Sequence, residues 1–446
     1  MHIVVLSSTI LISIRGGMDN LYAFTFYTFI QNIFLIIFSP ILSSTDTKIF
    51  IVYKELLVYI PICLFCFSHR YKSETTSQSF CLLFIITILI FNFLRPGASL
   101  YMKIVALRQL AIPFSCLFLG YTIIVDVNSI RKYLNFFVNS MIVIGVIGLI
   151  MYQFDPAILW DNLNFPTYFQ NKNDAVYQSR YVNFYSWDLG VELKRLVSFI
   201  ADPIATAHLI GIAWIYSIVA KNRKFWKIVV LTICAICCVS KSLAFLCFTA
   251  VLVWSYSQIR KKTYRYIFIL FSIISILVLF VLATVYVGGL EENSATGNHL
   301  TSLIYAVHNN SLFGNGLGSA GYLAGVMSGG DISDEANESF FAVMMVQLGL
   351  VGVFSFYLYF LLKITQMIRI YRFTKNRHVL FAVILLADVI LESVVSGSSI
   401  AMLGTGLYFI ISSLIINNYS RLLNVSPDAL KNLKTKHVIN NDLSNR

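Results

Sequence analysis

Charge is scarce in this 446-residue chain: Asp, Glu, Lys and Arg make up 12% of it, against 58% apolar side chains and a mean hydropathy of +0.76. A soluble domain carries roughly a quarter charged residues, so a water-soluble globule is excluded, and with it a coiled coil or a disordered chain. A disulfide framework is missing too. The eight cysteines, from Cys63 to Cys247, all fall inside apolar runs, and Cys63-Leu-Phe-Cys66 has no further ligands near it, so they read as small hydrophobes. No HExxH, no paired CxxC and no acidic cluster of the DxD kind stands outside the apolar runs, so neither a metal nor a cofactor is expected. Met1 to Ile14 has no basic leader and no small-residue cleavage site, which argues against a signal peptide. That stretch is also short for a span and suits the membrane interface. Internal repeats are absent, which weakens an inverted-repeat transporter.

What the chain does have is long apolar runs. They predict an all-α integral membrane protein of about 12 transmembrane helices, near 21–41, 49–68, 78–95, 103–125, 134–154, 196–219, 228–240, 242–257, 267–288, 338–362, 379–396 and 398–416. The nearly continuous stretch 228–257 is interrupted only by Ser240-Lys241-Ser242, which predicts a tight hairpin with Lys241 at its tip. The formal charge of +12 sits in short connections: 221–227, 258–266, 363–378 and the tail after 417 hold most of the basic residues, whereas 289–337 has no Lys or Arg. Short basic loops belong on the cytoplasmic side, so the excess charge does not indicate a nucleic acid partner. The long connections 155–195 and 289–337 then lie outside, and both termini lie inside. The expected organisation is a cytoplasmic or interfacial segment 1–20, a polytopic domain 21–416 and a cytoplasmic tail 417–446.

Long connections in a tightly looped protein are usually functional or disordered. The first is rich in aromatic residues, among them Trp160, Tyr168, Phe169, Tyr177, Tyr181 and Trp187, which anchor at headgroup level and stack on sugar rings. The outer face should also collect Arg195, Lys241, His299, His308 and Glu338. Cations there suit a diphosphate, and an imidazole or carboxylate suits deprotonation of a sugar hydroxyl. Taken singly, each also reads as an interfacial side chain reaching water, and Glu338 as a helix cap. Inside the spans lie Lys54, Glu55, Arg108, Asp202, His208, Asp388 and Glu392; intramembrane charges default to functional or paired roles. Arg108 either assists a diphosphate or pairs with Glu55 or Glu392. Asp202-Pro203 should break its span, because Pro removes a backbone donor. Gly316-Leu-Gly-Ser-Ala-Gly321 matches a dinucleotide fingerprint but has no strand before it, so the run from Leu312 reads as a turn with permissive backbone.

Arg195-Leu-Val-Ser-Phe-Ile-Ala-Asp-Pro, the Ser-Lys hairpin tip, the outer Leu312-Phe-Gly-Asn-Gly-Leu-Gly and Gly349-Leu-Val-Gly352 give a layout that resembles the O-antigen ligase and polymerase superfamily over most of 100–416. Ligases of that superfamily resemble one another in a His-led motif. The same spacing here reads Glu338-Ser339, nine residues, Gly349, two residues, Gly352, and Glu in place of His makes the chain most similar to a Wzy-type O-antigen polymerase. The family often carries Arg early in the large outer loop, where this chain has Asn298-His299; Arg195 and Lys241 match the basic positions better. The resemblance implies a multi-pass protein of the bacterial inner membrane that works at the periplasmic face on undecaprenyl-diphosphate-linked glycans, without metal or nucleotide sugar, and in company with a chain-length regulator and a flippase. Arg195, Lys241 and Arg108 would bind diphosphate, and Glu338, His299 or His308 would serve as base. The alternatives are a ligase that transfers glycan to lipid A core or protein and, in another class, a polysaccharide flippase or transporter.

Overall fold

A computed structural model of the protein describes residues 2–67, 76–173, 184–186, 192–220, 224–259, 261, 263–265, 267–268, 295–321, 339–397 and 400–424. Residues 269–288 of the expected span 267–288, the tail after 424, Glu338 and the aromatic residues Tyr177, Tyr181 and Trp187 lie outside them. The described chain is all-α apart from one two-residue ribbon. Its helices are α1 (His2–Arg15), α2 (Gly17–Phe38), α3 (Ser44–Phe67), α4 (Thr76–Leu94), α5 (Leu100–Thr122), α6 (Val127–Met151), α7 (Pro156–Asn162), α8 (Phe165–Asn173), α9 (Pro203–Val219), α10 (Phe225–Cys237), α11 (Lys241–Gln258), α12 (Ala295–His308), α13 (Phe340–Thr374), α14 (Arg377–Val395) and α15 (Gly406–Asn424). Strands β1 (Tyr185–Ser186) and β2 (Leu193–Lys194) pair antiparallel in the first long connection.

Five of the described helices are long and apolar enough to cross a membrane: α2, α4, α5, α6 and α13. The protein is therefore membrane-embedded. Burial separates two kinds of helix. In α14 every residue from Val379 to Ile390 is buried, and α15 is buried from Leu407 to Tyr419, so these two form the centre. In α4, by contrast, Phe80, Leu83, Ile90, Phe91 and Leu94 are exposed apolar side chains. A broad apolar outer surface of this kind suits lipid rather than water.

Polar side chains hold the non-helical backbone inside the bundle, where an unsatisfied amide is expensive. The expected span 196–219 begins as a helix only at Pro203. Before it, 196–202 holds only a 3-10 turn at Ser198–Ile200 and is largely buried: Asn32 Nδ2 donates to the Ile200 carbonyl (2.7 Å), Ser198 Oγ to Ile144 (2.6 Å) and Thr206 Oγ1 to Val197 (2.6 Å). Asp202 is the N-cap of α9, accepting from Ile204 N (2.9 Å) and Ala205 N (3.0 Å), with Pro203 at the first helical position. It is thus a capping residue that satisfies orphan amides, not an intramembrane charge in search of a partner.

The packing bears on two further expectations. First, α1 runs parallel to α3: His2 bonds Asp46 (2.8 Å) and Tyr53 (2.9 Å), and Ser13 Oγ reaches the Leu56 carbonyl (3.4 Å). Helix α1 therefore lies along α3 through Thr9 and Ser13 while Val4, Leu11 and Ile14 face outward. Through Arg108–Glu55, and Asn417 Nδ2 to the Tyr121 carbonyl (2.8 Å), α3, α5 and α15 also run in one direction. His2, at the start of α1, and Asn424, at the end of α15, stand at opposite ends of this set of helices.

Second, the expected span 338–362 is two helices. Gly349 (φ 74°, ψ −179°) divides α13, and the chain doubles back there. Phe340 and Phe356 have ring centroids 5.7 Å apart, and Phe341 and Tyr357 5.8 Å. Sixteen residues of unbroken helix would separate them by about 24 Å. The crossing helix is 350–374; 340–348 is a half-helix folded against its start.

Candidate active site

The connections around 155–202 and 295–321 share one end of the bundle, and the cationic candidates are found there. The N–H of Arg195 donates to the Phe184 carbonyl (2.8 Å), and the next N–H, of Leu196, donates to Cys237 (2.9 Å), the last residue of α10. Arg195 is thereby tied to the turn between α10 and α11; these two helices pack on α9 rather than on each other, so the tight hairpin expected from the sequence is an open turn. The turn runs through Val239 in a left-handed conformation (φ 43°) and Ser240, and Lys241 opens α11 with an exposed side chain. Arg195 and Lys241 therefore do stand near one another. Lys194 is committed elsewhere: its Nζ donates to the Tyr152 (2.6 Å) and Phe154 carbonyls at the end of α6, and burial lowers its hold on a proton. This is where a cation complements the helix dipole, so Lys194 fastens the ribbon and leaves Arg195 as the cation by the turn.

Directly below Lys241 is a buried polar cluster. Ser242 Oγ donates to Glu392 Oε1 (2.5 Å), and His208 Nε2 lies 2.9 and 3.1 Å from the two carboxylate oxygens. His208 Nδ1 faces the Ile204 carbonyl at 2.9 Å. A carbonyl only accepts, so Nδ1 carries hydrogen and one further proton lies between Nε2 and Glu392. Tyr408 packs edge-on to the imidazole at 5.8 Å and donates to the His208 carbonyl (3.2 Å). Asp388, one turn before Glu392 on α14, is fully buried. Neither of its oxygens has a hydrogen-bond partner among the described residues, and the Thr249 hydroxyl faces it without completing a bond.

The half-helix of α13 begins beside the same end of α14: Ser339 Oγ donates to the Val394 carbonyl (2.7 Å) and Tyr357 Oη pairs with Ser393 Oγ (2.8 Å). Glu338 itself lies outside the described residues, but its neighbour thus stands two residues from Glu392 along α14. His308, exposed at the end of α12, belongs to the other end of the half-helix, near the Gly349 turn, roughly 13 Å away along nine helical residues. His299 lies on the backbone of α12, and its side chain is outside the described set. Arg108 is not with Arg195 and Lys241: its guanidinium grips Glu55 with two nitrogens, Nε at 2.9 Å and a terminal nitrogen closer still.

The Gly-rich run is explained by the break in α13. Asn315 N donates to Val346 (2.8 Å) and Gly316 N to Gln347 (3.2 Å), closing the half-helix; Ser311 and Leu312 accept from Leu350 (3.3 Å) and Val351 (3.2 Å), opening the crossing helix. A turn with permissive backbone is what these residues form. Among the described residues no group of three or more His, Cys, Asp or Glu stands close enough to hold a metal. Sequence reasoning singled out His208, Asp388 and Glu392 as intramembrane polar residues without joining them. The signal available was the four-residue spacing of Asp388 and Glu392, which puts both on one helix face; the partner 184 residues away required the fold. No family model, curated protein or solved structure matches this chain.

Proposed function

We propose that the chain is a Wzy-type O-antigen polymerase of about twelve spans in a bacterial inner membrane, transferring a growing glycan from undecaprenyl diphosphate to the non-reducing end of another lipid-linked repeat unit at the periplasmic face. The observation that carries the reading is the tethering of Arg195 to the turn that presents Lys241, with the start of the α13 half-helix at the adjacent end of α14. In the transfer, the acceptor hydroxyl oxygen bonds to the anomeric carbon, the bond from that carbon to the diphosphate oxygen breaks, and the electron pair leaves with the diphosphate. Arg195 and Lys241 would take up the developing charge, as preorganised donors do. Glu338 would receive the hydroxyl proton. A chain-length regulator and a flippase would be the protein partners.

Arg195→Ala is the test. A charge-assisted hydrogen bond contributes about 1.5–3 kcal/mol, so transfer should slow roughly tenfold to a hundredfold. A lipopolysaccharide gel should collapse from a ladder to core plus a single repeat, with Arg195→Lys restoring part of it, because an ammonium lacks the forked geometry. Bare core would indicate a ligase instead, and a full ladder at normal expression would refute the diphosphate role.

Orientation is tested separately. In a cysteine-free background, His308→Cys should react with an impermeant maleimide added outside, and Lys375→Cys only after the membrane is opened; both native side chains are exposed. Labelling of 308 from the cytoplasm alone would remove the periplasmic site.

A further inference from the structure

The last turns of α9 and α11, the end of α13 and the first turns of α14 enclose a groove of about 540 Å³, within the roughly 300–1,000 Å³ of ordinary ligand sites. Its walls are largely apolar, with Ile218, Val251 and Ile384 among them, and two indoles, Trp214 and Trp254, stand in them. Trp214 is fixed by its Nε1, which donates to Thr232 Oγ1 of α10 (2.9 Å), while Trp254 is 55% exposed. Tryptophan favours the headgroup level of a bilayer. The groove lies at the opposite end of the bundle from Arg195 and Lys241. Lys241 opens α11, and Gln258, in the groove, closes it about 26 Å further along the axis. From Gln258 back to Cys247, the innermost α11 residue in the groove, is about 16 Å. That is the depth of one leaflet, half of a hydrocarbon core about 30 Å thick.

The mouth is cationic. Lys375 and Arg377 line it, and among the described residues no Asp or Glu does. Arg377 is the first residue of α14, where a cation opposes the helix dipole and an anion is favoured. Arg372, near the end of α13, lies over the ring of Tyr256 on α11, 5.0 Å from its centroid. The ring takes up charge, but Nε and Nη2 of Arg372 are buried and have no hydrogen-bond partner among the described residues. Buried donors without an acceptor are costly. These two nitrogens form one edge of the guanidinium, the edge that makes paired bonds to the oxygens of a phosphate. We propose that this groove binds an anionic phospholipid, with one acyl chain along its walls and the headgroup phosphate at the mouth, taken by Arg372 and Arg377. The source is a lipid rather than a soluble phosphate because the cations stand at the end of an apolar groove of one leaflet's depth. The site is remote from Arg195 and Lys241 and stands whether or not the chain performs the proposed transfer.

Purified full-length protein in neutral detergent would be titrated with palmitoyl-oleoyl phosphatidylglycerol, with phosphatidylcholine of the same chains and with glycerol phosphate, read by native mass spectrometry and thermal shift. Wild type should bind phosphatidylglycerol at least tenfold more tightly than phosphatidylcholine and ignore glycerol phosphate at the same concentrations. The Arg195→Ala/Lys241→Ala protein should keep that preference. Arg372→Gln should lose it. Arg377→Glu stands in if Arg372→Gln does not fold: the residue is exposed, an acid suits the first position of a helix, and phosphatidylglycerol affinity should fall at least tenfold. Val251→Trp fills the groove from a side chain that is 62% exposed and should weaken binding of both lipids. Equal wild-type affinity for the two lipids overturns the anionic headgroup, and an undiminished preference in the folded mouth variants overturns the roles of Arg372 and Arg377. Undiminished binding by Val251→Trp overturns the groove as the seat, and an equal response to glycerol phosphate overturns the lipid source. Loss of the preference in the Arg195→Ala/Lys241→Ala protein moves the lipid to the other end and overturns the proposal. A lipid-free mass of two chains that Val251→Trp splits into one gives the groove to a second copy instead.

Discussion

Gly349→Ala should leave little folded protein. The residue sits at φ 74° and ψ −179°, a region open essentially to glycine alone, where another residue loses about 1–3 kcal/mol to backbone strain. Strain is the smaller part. A Cβ at 349 would lie 2.2 Å from the Gly314 nitrogen, 2.4 Å from the Ser311 oxygen and 2.6 Å from the Leu312 oxygen. All three are backbone atoms of the strand of chain whose amides and carbonyls cap the two halves of α13, so they cannot retreat without undoing those caps. In a membrane interior the released amides and carbonyls find no water to replace them. Gly17→Ala supplies the control. Its φ is 61° but no atom stands within 4 Å of the added Cβ, so it should lose only the roughly 1–2 kcal/mol of a left-handed alanine. Heating detergent-solubilised protein and following the monodisperse peak by size-exclusion chromatography compares the two. A Gly349→Ala protein as heat-stable as Gly17→Ala would mean that α13 is not broken in the way described.

The break also marks where reading the sequence stops. Apolar runs locate helices because membrane burial selects composition over long windows, and α2 to α6, α10, α11 and α14 fall close to the expected runs, whereas α15 is displaced toward the C-terminus from the expected 398–416. Runs of apolar residues do not say whether a helix crosses or folds back, and 338–362 reads as one span although its first nine helical residues pack against its own continuation. Asp202-Pro203 was legible as an interruption, and its local capping geometry accounts for it. Arg195 and Lys241 fall on one face in the sequence reading only through the topology that the basic loops imply, against the cytoplasmic preference of single cations. Their attachment through Leu196 and Cys237 could not be read there, since a backbone hydrogen bond leaves no trace in composition.

Breaking the His208–Glu392 pair should have the other large effect. Both side chains are about 1–2% exposed, and they join α9 to α14 while Ser242 ties in α11. Removing one member of such a pair strands the other and costs about 3–5 kcal/mol, whereas replacing both with apolar groups of similar volume is often neutral or favourable. His208→Leu alone leaves the Glu392 carboxylate with a single hydroxyl donor, and Glu392→Leu leaves an imidazole whose Nε2 faces no partner. Each single variant should therefore lower the midpoint of thermal unfolding steeply, and the double variant should recover most of it, giving a coupling energy well outside the few tenths of a kcal/mol expected for independent sites. The polymer assay then separates structure from chemistry. If the pair serves only to hold three helices together, the double variant regains the ladder along with its heat resistance. A heat-stable double variant without a ladder would give the pair, one turn below Lys241, a part in handling the proton released by the acceptor hydroxyl. Additive losses in the two single variants would sink the pairing itself, because two groups sharing one proton in a water-free interior cannot fail independently.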